Sequence, residues 1–198
     1  MSNYFNNLSE NTKPYLREYF LDRRRKMASD ERERKHALDL EIESRLLMMS
    51  EYREADTVLI YISRNFEIST MEILSAAFSN RKTVAAPRID EDDVMRFYVI
   101  TSLSDLEVGY LGILEPKKEM PLVSSFDSSL CICPALCCDM RGYRVGFGKG
   151  YYDRFLDDYT GQAVSLCYAD SLIPLIKTDS SDRNTTAIVT DSFVRHIT

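Results

Sequence analysis

Four of the chain's seven glycines, Gly142, Gly146, Gly148 and Gly150, fall within nine residues. Glycine has no Cβ, so closely spaced glycines let backbone N–H groups approach phosphate oxygens, and the start of a following helix adds favourable partial charge. Arg144 and Lys149 place fixed positive charge in the same stretch. Asp153, just beyond Gly150, offers a hard carboxylate oxygen of the kind magnesium takes. These residues point to an anion-binding turn for a phosphorylated ligand, although a flexible hairpin carrying incidental charge has the same composition. The spacing is not that of a P-loop, which needs Gly-Lys followed by Ser or Thr, nor that of a dinucleotide fingerprint.

Such a turn needs a strand before it and a helix after it. Residues 130–133 read as a buried strand and Tyr151–Asp158 as a helix. Upstream, the apolar runs 58–62 and 83–86, the second ended by Pro87, bracket a helix capped by Thr70 and running through Phe78, which predicts a β-α-β unit. Met95–Ile100 alternates in the manner of a half-buried strand, and 163–168 and 187–190 predict two more, the latter the last. Towards the N-terminus, Thr12 caps a helix that tolerates Pro14 early, and Ser29 or Asp30 caps a second, an α-hairpin over about residues 9–50. Strands alternating with helices imply an α/β fold, a mostly parallel sheet flanked by helices, with its core over about 57–198. A chain of 198 residues fits one domain spanning 1–198.

The formal charge of −6 disfavours broad, salt-driven binding of nucleic acid, so small-molecule partners are expected. The basic run Arg23-Arg24-Arg25-Lys26 is surrounded by Asp22, Asp30, Glu31 and Glu33 and reads as a solvated helix end. No apolar run approaches the ~20 residues that span a bilayer, and residues 1–10 lack a secretory pattern. With five cysteines, an odd number, four of them between 131 and 138, a reducing and therefore cytoplasmic setting is expected, with no membrane partner. Cys131, Cys133, Cys137 and Cys138 lack paired C-x-x-C hooks, and strand alternation sends the first two to one side, which disfavours a zinc site. His36 and His196 are the only histidines and sit in no catalytic pattern, which disfavours a histidine-dependent hydrolase.

Residues 134–154, with the unbroken run Gly146-Phe147-Gly148-Lys149-Gly150-Tyr151-Tyr152-Asp153-Arg154, resemble the hallmark of the 5-formyltetrahydrofolate cyclo-ligases, also called methenyltetrahydrofolate synthetases. Further blocks follow that family's order. Lys13-Pro14-Tyr15-Leu16-Arg17 is similar to its N-terminal lysine-and-arginine block, and Glu67-Ile68-Ser69-Thr70 to its acidic folate block. Pro87-Arg88 and Gly112-Ile113-Leu114-Glu115-Pro116 resemble two later turns. Two departures stand out: Cys137 and Cys138 replace residues that are usually small or aromatic, and Ser181 stands where many members carry histidine.

The resemblance implies a Rossmann-like fold of the NagB/RpiA/CoA-transferase kind and an ATP-dependent ligase. It implies that Lys13, Arg17, Arg144, Gly146, Phe147, Gly148, Lys149, Gly150, Tyr151 and Tyr152 bind ATP, the co-substrate. Lys149, Arg144 and Tyr152 would act in catalysis, Glu67 and Tyr152 would face the folate, with or without a polyglutamate tail, and Asp153 and Asp182 would bind Mg2+. A monomer is expected. Two rival readings stand beside this one: a catalytically silent relative that binds folate or nucleotide, and a sugar-phosphate-binding α/β protein.

Overall fold

Runs of three to seven residues, mostly apolar and each too short for a long helix, become the strands of the main sheet. The computed structural model describes residues 12–109 and 112–197. In chain order the elements are α1 (Lys13–Asp30), α2 (Arg32–Met48), α3 (Ser50–Glu54), β1 (Thr57–Ile60), α4 (Met71–Ser79), β2 (Thr83–Ile89), β3 (Met95–Ile100), β4 (Leu106–Val108) and β5 (Leu114–Pro116). They continue as β6 (Ser129–Pro134), β7 (Cys137–Asp139), β8 (Arg144–Val145), α5 (Tyr151–Asp158), β9 (Gln162–Leu166), β10 (Leu172–Ile173), β11 (Ala187–Val189) and β12 (Val194–His196).

Seven strands pair in the order β12-β11-β9-β6-β1-β2-β3. The five central ones are parallel, and β12 and β3 run antiparallel at the two edges. Residues 130–133 of β6 are wholly buried, as a central parallel strand covered on both faces requires. One face carries Ile42 and Leu46 of α2 and Ile73 and Leu74 of α4 against Val58, Ile60, Leu130 and Ile132. The other carries Phe155 of α5, whose ring lies 4.8 Å from Phe97 of β3 and 5.3 Å from Phe126. The expected α/β class with a mostly parallel, helix-flanked sheet is therefore what the chain forms. No helix among the described residues is long and apolar enough to cross a membrane.

Two smaller sheets frame the site. The ribbon β4–β5 packs beside β2, and β10-β7-β8 forms a separate three-stranded patch. Leu16 and Phe20 of α1 are buried on that patch against Leu136, Cys137, Val145, Ile173 and Ile176. Thus α1 rides on the strands that lead into the glycine loop, whereas α2 lies on the main sheet.

Several expectations are met residue for residue and others are corrected. Helix α5 and strand β3 have the predicted bounds, and the Thr12 hydroxyl accepts the Tyr15 amide at 3.5 Å as the cap of α1. The expected helical start near residue 9 lies outside the described residues. The cap of α2 is Glu31, not Ser29 or Asp30, because α1 continues through both and a single residue separates the two helices. Pro87 does not end β2. Its register with β1 stops at Leu59 opposite Ala85, and the amide of Val123 bonds outward to Phe97, the residue opposite Pro87. The missing N–H thus falls where no ladder bond is due. Thr70 caps nothing with its side chain; its hydroxyl donates to the Tyr61 carbonyl at 2.8 Å and accepts the Ser63 amide, tying down the loop after β1. A further strand, β12, follows the one read as last.

All five cysteines are free and buried. Cys131 and Cys133 share a face with their sulfurs 3.8 Å apart, while Cys137 and Cys138 point into separate packing clusters. The described residues contain no group of His, Cys, Asp or Glu able to hold a metal by themselves.

Candidate functional site

In open α/β sheets ligands bind beyond the carboxyl ends of the strands. Here the loop after β1 carries Glu67, and the chain after its neighbour β6 carries the β7–β8 hairpin and the glycine loop 146–150. Between them lies a cleft of about 540 Å³. Lys13, Arg17, Glu67, Arg144, Gly146, Phe147, Gly148, Lys149, Gly150, Tyr151, Tyr152, Asp153 and Asp182 all line it. Every residue given a role in ATP, folate or metal binding is thus on one cavity, including Glu67, whose distance from the glycine loop sequence order leaves open.

The loop is shaped by positive φ angles, +93° at Gly148 and +68° at Gly150, which L side chains rarely adopt. Gly150 is the N-cap of α5, so the loop delivers its chain directly to a helix start. Arg17 reaches across from α1: its Nε donates to the Gly146 carbonyl at 2.9 Å, and a Cβ on Gly148 would stand 2.9 Å from its Cζ. The absence of a side chain at Gly148 is what admits the guanidinium.

The cations differ in how far they are committed. Lys13 binds both oxygens of Asp182, at 2.6 and 2.5 Å, and Asp179 at 3.0 Å. Burial lowers its pKa, but the bonds to Asp182 and Asp179 outweigh that and raise it, so Lys13 is an ammonium. Arg144 is buried, with donors on the Arg183 carbonyl at 2.7 Å and Asp153 at 3.1 Å. Asp153 also accepts the Arg183 amide at 3.2 Å, which joins α5 to the segment bearing Asp182. The Lys149 side chain is exposed and makes no hydrogen bond or ion pair among the described residues.

At the other end, the Tyr152 hydroxyl is buried and has no hydrogen-bond partner among the described residues. Burial first, and then the nearby Cys131, Cys133, Tyr61 and Glu67, push its pKa well up, so it is a neutral phenol able to donate. Glu67 is met by Arg64, three residues earlier, whose backbone amide donates to it at 2.7 Å and whose guanidinium pairs with it at 3.2 Å. Arg64 escaped the sequence reading, as did Asp179 and Arg183. An acid three residues after an arginine was the signal for the first; the other two lie in a segment without periodicity.

A larger, more open hollow of about 850 Å³ adjoins the cleft and shares Ile89 and Glu115 with it. It contains none of the residues given a role in ATP, folate or metal binding, and its charges are already matched: Arg96 to Asp90 at 2.7 Å, Lys118 to Glu91 at 2.8 Å, and Arg88 to Glu107 at 2.7 Å. The smaller cleft holds the chemistry.

A mostly parallel sheet whose strand ends gather a glycine loop, several cations and the carboxylates of Glu67, Asp153 and Asp182 has the architecture of an α/β enzyme for a polyanionic ligand. Residues 9–191 match the model of the 5-formyltetrahydrofolate cyclo-ligase family, and the chain belongs to that family. It is 27% identical over 183 residues to a probable 5-formyltetrahydrofolate cyclo-ligase of Schizosaccharomyces pombe, covering 82% of this chain and 90% of the relative. It is also 24% identical over 180 residues to the 5-formyltetrahydrofolate cyclo-ligase of Mus musculus, covering 84% and 87%. Among solved structures, the 5,10-methenyltetrahydrofolate synthetase of Aquifex aeolicus superimposes with a TM-score of 0.80 at 28% identity, over 93% of this chain and 92% of that one.

Proposed function

We propose that this chain is an ATP-dependent ligase that closes 5-formyltetrahydrofolate to 5,10-methenyltetrahydrofolate, with release of ADP and phosphate. A formamide oxygen is a poor leaving group, so the terminal phosphoryl group of ATP passes to it first. The neighbouring folate nitrogen then attacks the activated carbon and loses its proton, and phosphate departs with the former formyl oxygen. Phosphoryl transfer needs little from the protein except position and compensating charge. Lys149 and the loop amides supply these to the phosphates, with Lys13 and Arg17 beside them. Arg144 acts by holding Asp153. The Tyr152 hydroxyl, with a donor unused and buried, meets the folate. Enclosure by the cleft keeps water from hydrolysing the activated carbon.

Magnesium fits the donor set. Asp153 and Asp182 are hard oxygen donors on the same cleft, and an ion bound by one or two carboxylates and by substrate phosphates needs no protein cage. Once bound, it would neutralise charge developing on the phosphates. The residues assigned to ATP, folate and metal all come from one chain, which supports a single domain working as a monomer, and five free thiols support a cytoplasmic setting.

The observation that carries this reading is the meeting of Lys13, the loop 146–150 and Asp182 with Glu67 in one cleft. The test follows the near-ultraviolet absorbance of the methenyl product from 5-formyltetrahydrofolate. A rise is expected only when both ATP and magnesium are present; Lys149→Ala should lower the rate about 100-fold, as for other lost transition-state donors. No ATP-dependent rise with the unaltered chain would reject the assignment.

A further inference from the structure

Lys149 lines the cleft, and among the described residues no hydrogen bond or ion pair holds its side chain. What fixes its ammonium is therefore the backbone that carries it. That backbone is gripped on two sides: Arg17 takes the Gly146 carbonyl at 2.9 Å, and Arg154, on the first turn of α5, donates to the Lys149 carbonyl at 2.8 Å. Gly150 lies between Lys149 and α5 at a φ of +68°, and a Cβ there would stand 3.4 Å from the same terminal nitrogen of Arg154.

Arg154 is held in turn by a distant part of the chain. The turn between β2 and β3 is closed by the Asp90 amide on the Val94 carbonyl and the Asp93 amide on the Asp90 carbonyl, both at 3.0 Å, and leaves Asp93 at a φ of +60°. From there the Asp93 carbonyl accepts the other terminal nitrogen of Arg154 at 3.3 Å. The Asp93 carboxylate lies 3.8 Å from that nitrogen and accepts the Tyr151 hydroxyl at 2.7 Å. The guanidinium completes the cluster 4.9 Å from the centroid of the Tyr151 ring. Tyr151 and Arg154 line the cleft, whereas Asp93 lines only the neighbouring hollow. A cation placed before its ligand arrives loses little freedom on binding, and phosphoryl transfer depends on that placement. We propose that Asp93 is a positioning residue for the glycine loop: through Arg154 and Tyr151 it fixes the Lys149 backbone, and with it the ammonium that meets the phosphates of the nucleotide. The proposal rests on the ligase reading above for the identity of the nucleotide.

The experiment compares wild type with Asp93→Gly, Asp93→Asn, Arg154→Lys and the Asp93→Gly/Arg154→Lys pair. MgADP affinity is measured by calorimetry, KM for each substrate with the other saturating, and the melting transition of every variant. The Asp93 side chain is 77% exposed and that of Arg154 53%, and contacts so exposed add little to global stability. Glycine and asparagine both accept a positive φ, so the turn keeps its backbone and each variant should melt as wild type does. Both Asp93 variants remove one negative charge beside a site for a polyanion, which by Coulomb's law alone would tighten nucleotide binding. The expected result for Asp93→Gly has the opposite sign: MgADP weakens and the KM for ATP rises, each about 3- to 10-fold, while the folate KM stays within about twofold. Asp93→Asn keeps an acceptor for Tyr151 and should stay within about twofold of wild type throughout. Arg154→Lys keeps the charge but cannot span the Lys149 and Asp93 carbonyls together, so it should lose as much as Asp93→Gly. The pair should lose less than the product of the single losses, since one residue acts through the other. Nucleotide binding by Asp93→Gly that equals or exceeds wild type overturns the proposal. So do an Asp93→Asn as impaired as Asp93→Gly, an equal rise in the folate KM, and a pair that loses the full product. A wild type that binds MgADP but forms no methenyl product rejects the ligase reading, while the affinity comparison still decides the role of Asp93.

Discussion

The Tyr152 hydroxyl is buried beside Cys131 and Cys133 with no partner among the described residues, a placement that costs the free protein about 1–3 kcal/mol. Removing that hydroxyl as Tyr152→Phe keeps the ring that packs 6.4 Å from Phe97. The variant should therefore unfold at the same denaturant concentration or a higher one, by up to ~1 kcal/mol, while its affinity for 5-formyltetrahydrofolate falls roughly tenfold because the ligand loses a donor. Urea titration and the folate KM give the two readings, and a parallel loss of both would mean that the hydroxyl is structural. At this scale the site was legible where chemistry and sequence lie close together. Gly146 to Asp153 form one uninterrupted run, and their types declare charge, turn and hard oxygen. What stayed hidden was partnership. Nothing in the order of residues shows that Asp182 is bound to Lys13, 169 positions away, or that Arg64 rests on the ring of Phe147.

The turn that carries Asp179 and Asp182 is held by its own hydrogen bonds. Asp179 accepts the Ser181 hydroxyl at 2.5 Å and amide at 2.9 Å, and its own amide donates to Asp182 at 2.7 Å. The Ser181 hydroxyl and amide, then Lys13, hold the Asp179 pKa at about 2, below the ordinary 3.8. A carboxyl whose pKa is depressed by folding contributes stability that is whole above about pH 3.8 and fades as pH falls towards about 2. Asp179→Asn should thus lower stability at neutral pH and lose part of the acid transition between those values, seen by following unfolding against pH; an unchanged acid profile would show that the bonds do not persist in solution. This turn also marks what could be read of the elements. Tyr151–Asp158 and Met95–Ile100 carry a periodicity long enough to fix their bounds. β8 and β10 have two residues each, too few for any period, and exist because the β7 hairpin supplies partners. Pro87 looked like a stop because its exemption from the ladder depends on where β1 ends.

At the scale of the whole molecule, the site is assembled from regions that share no single scaffold. The main sheet presents Glu67 and the chain leading to the glycine loop, whereas Lys13 and Arg17 arrive on α1, which is seated on the small β10-β7-β8 patch. Seating and chemistry are therefore coupled through a few apolar contacts. Leu16, one position from Arg17, is fully buried there against residues that include Leu136, Val145 and Ile176. Leu46 of α2 is equally buried, but on the main sheet. Each substitution to alanine should cost about 2–5 kcal/mol through lost burial and a residual cavity. They should part in function. Leu16→Ala lets α1 shift on its patch, so the Arg17 bond to Gly146 and the Lys13 bonds to Asp182 loosen, and the KM for ATP rises severalfold at temperatures where the protein is still folded. Leu46→Ala leaves those bonds on an undisturbed seat, and its KM for ATP stays near wild type. Equal melting temperatures with unequal ATP kinetics would establish that α1 is a separately docked arm of the active site; equal kinetics would mean that the helices and the sheet move as one body.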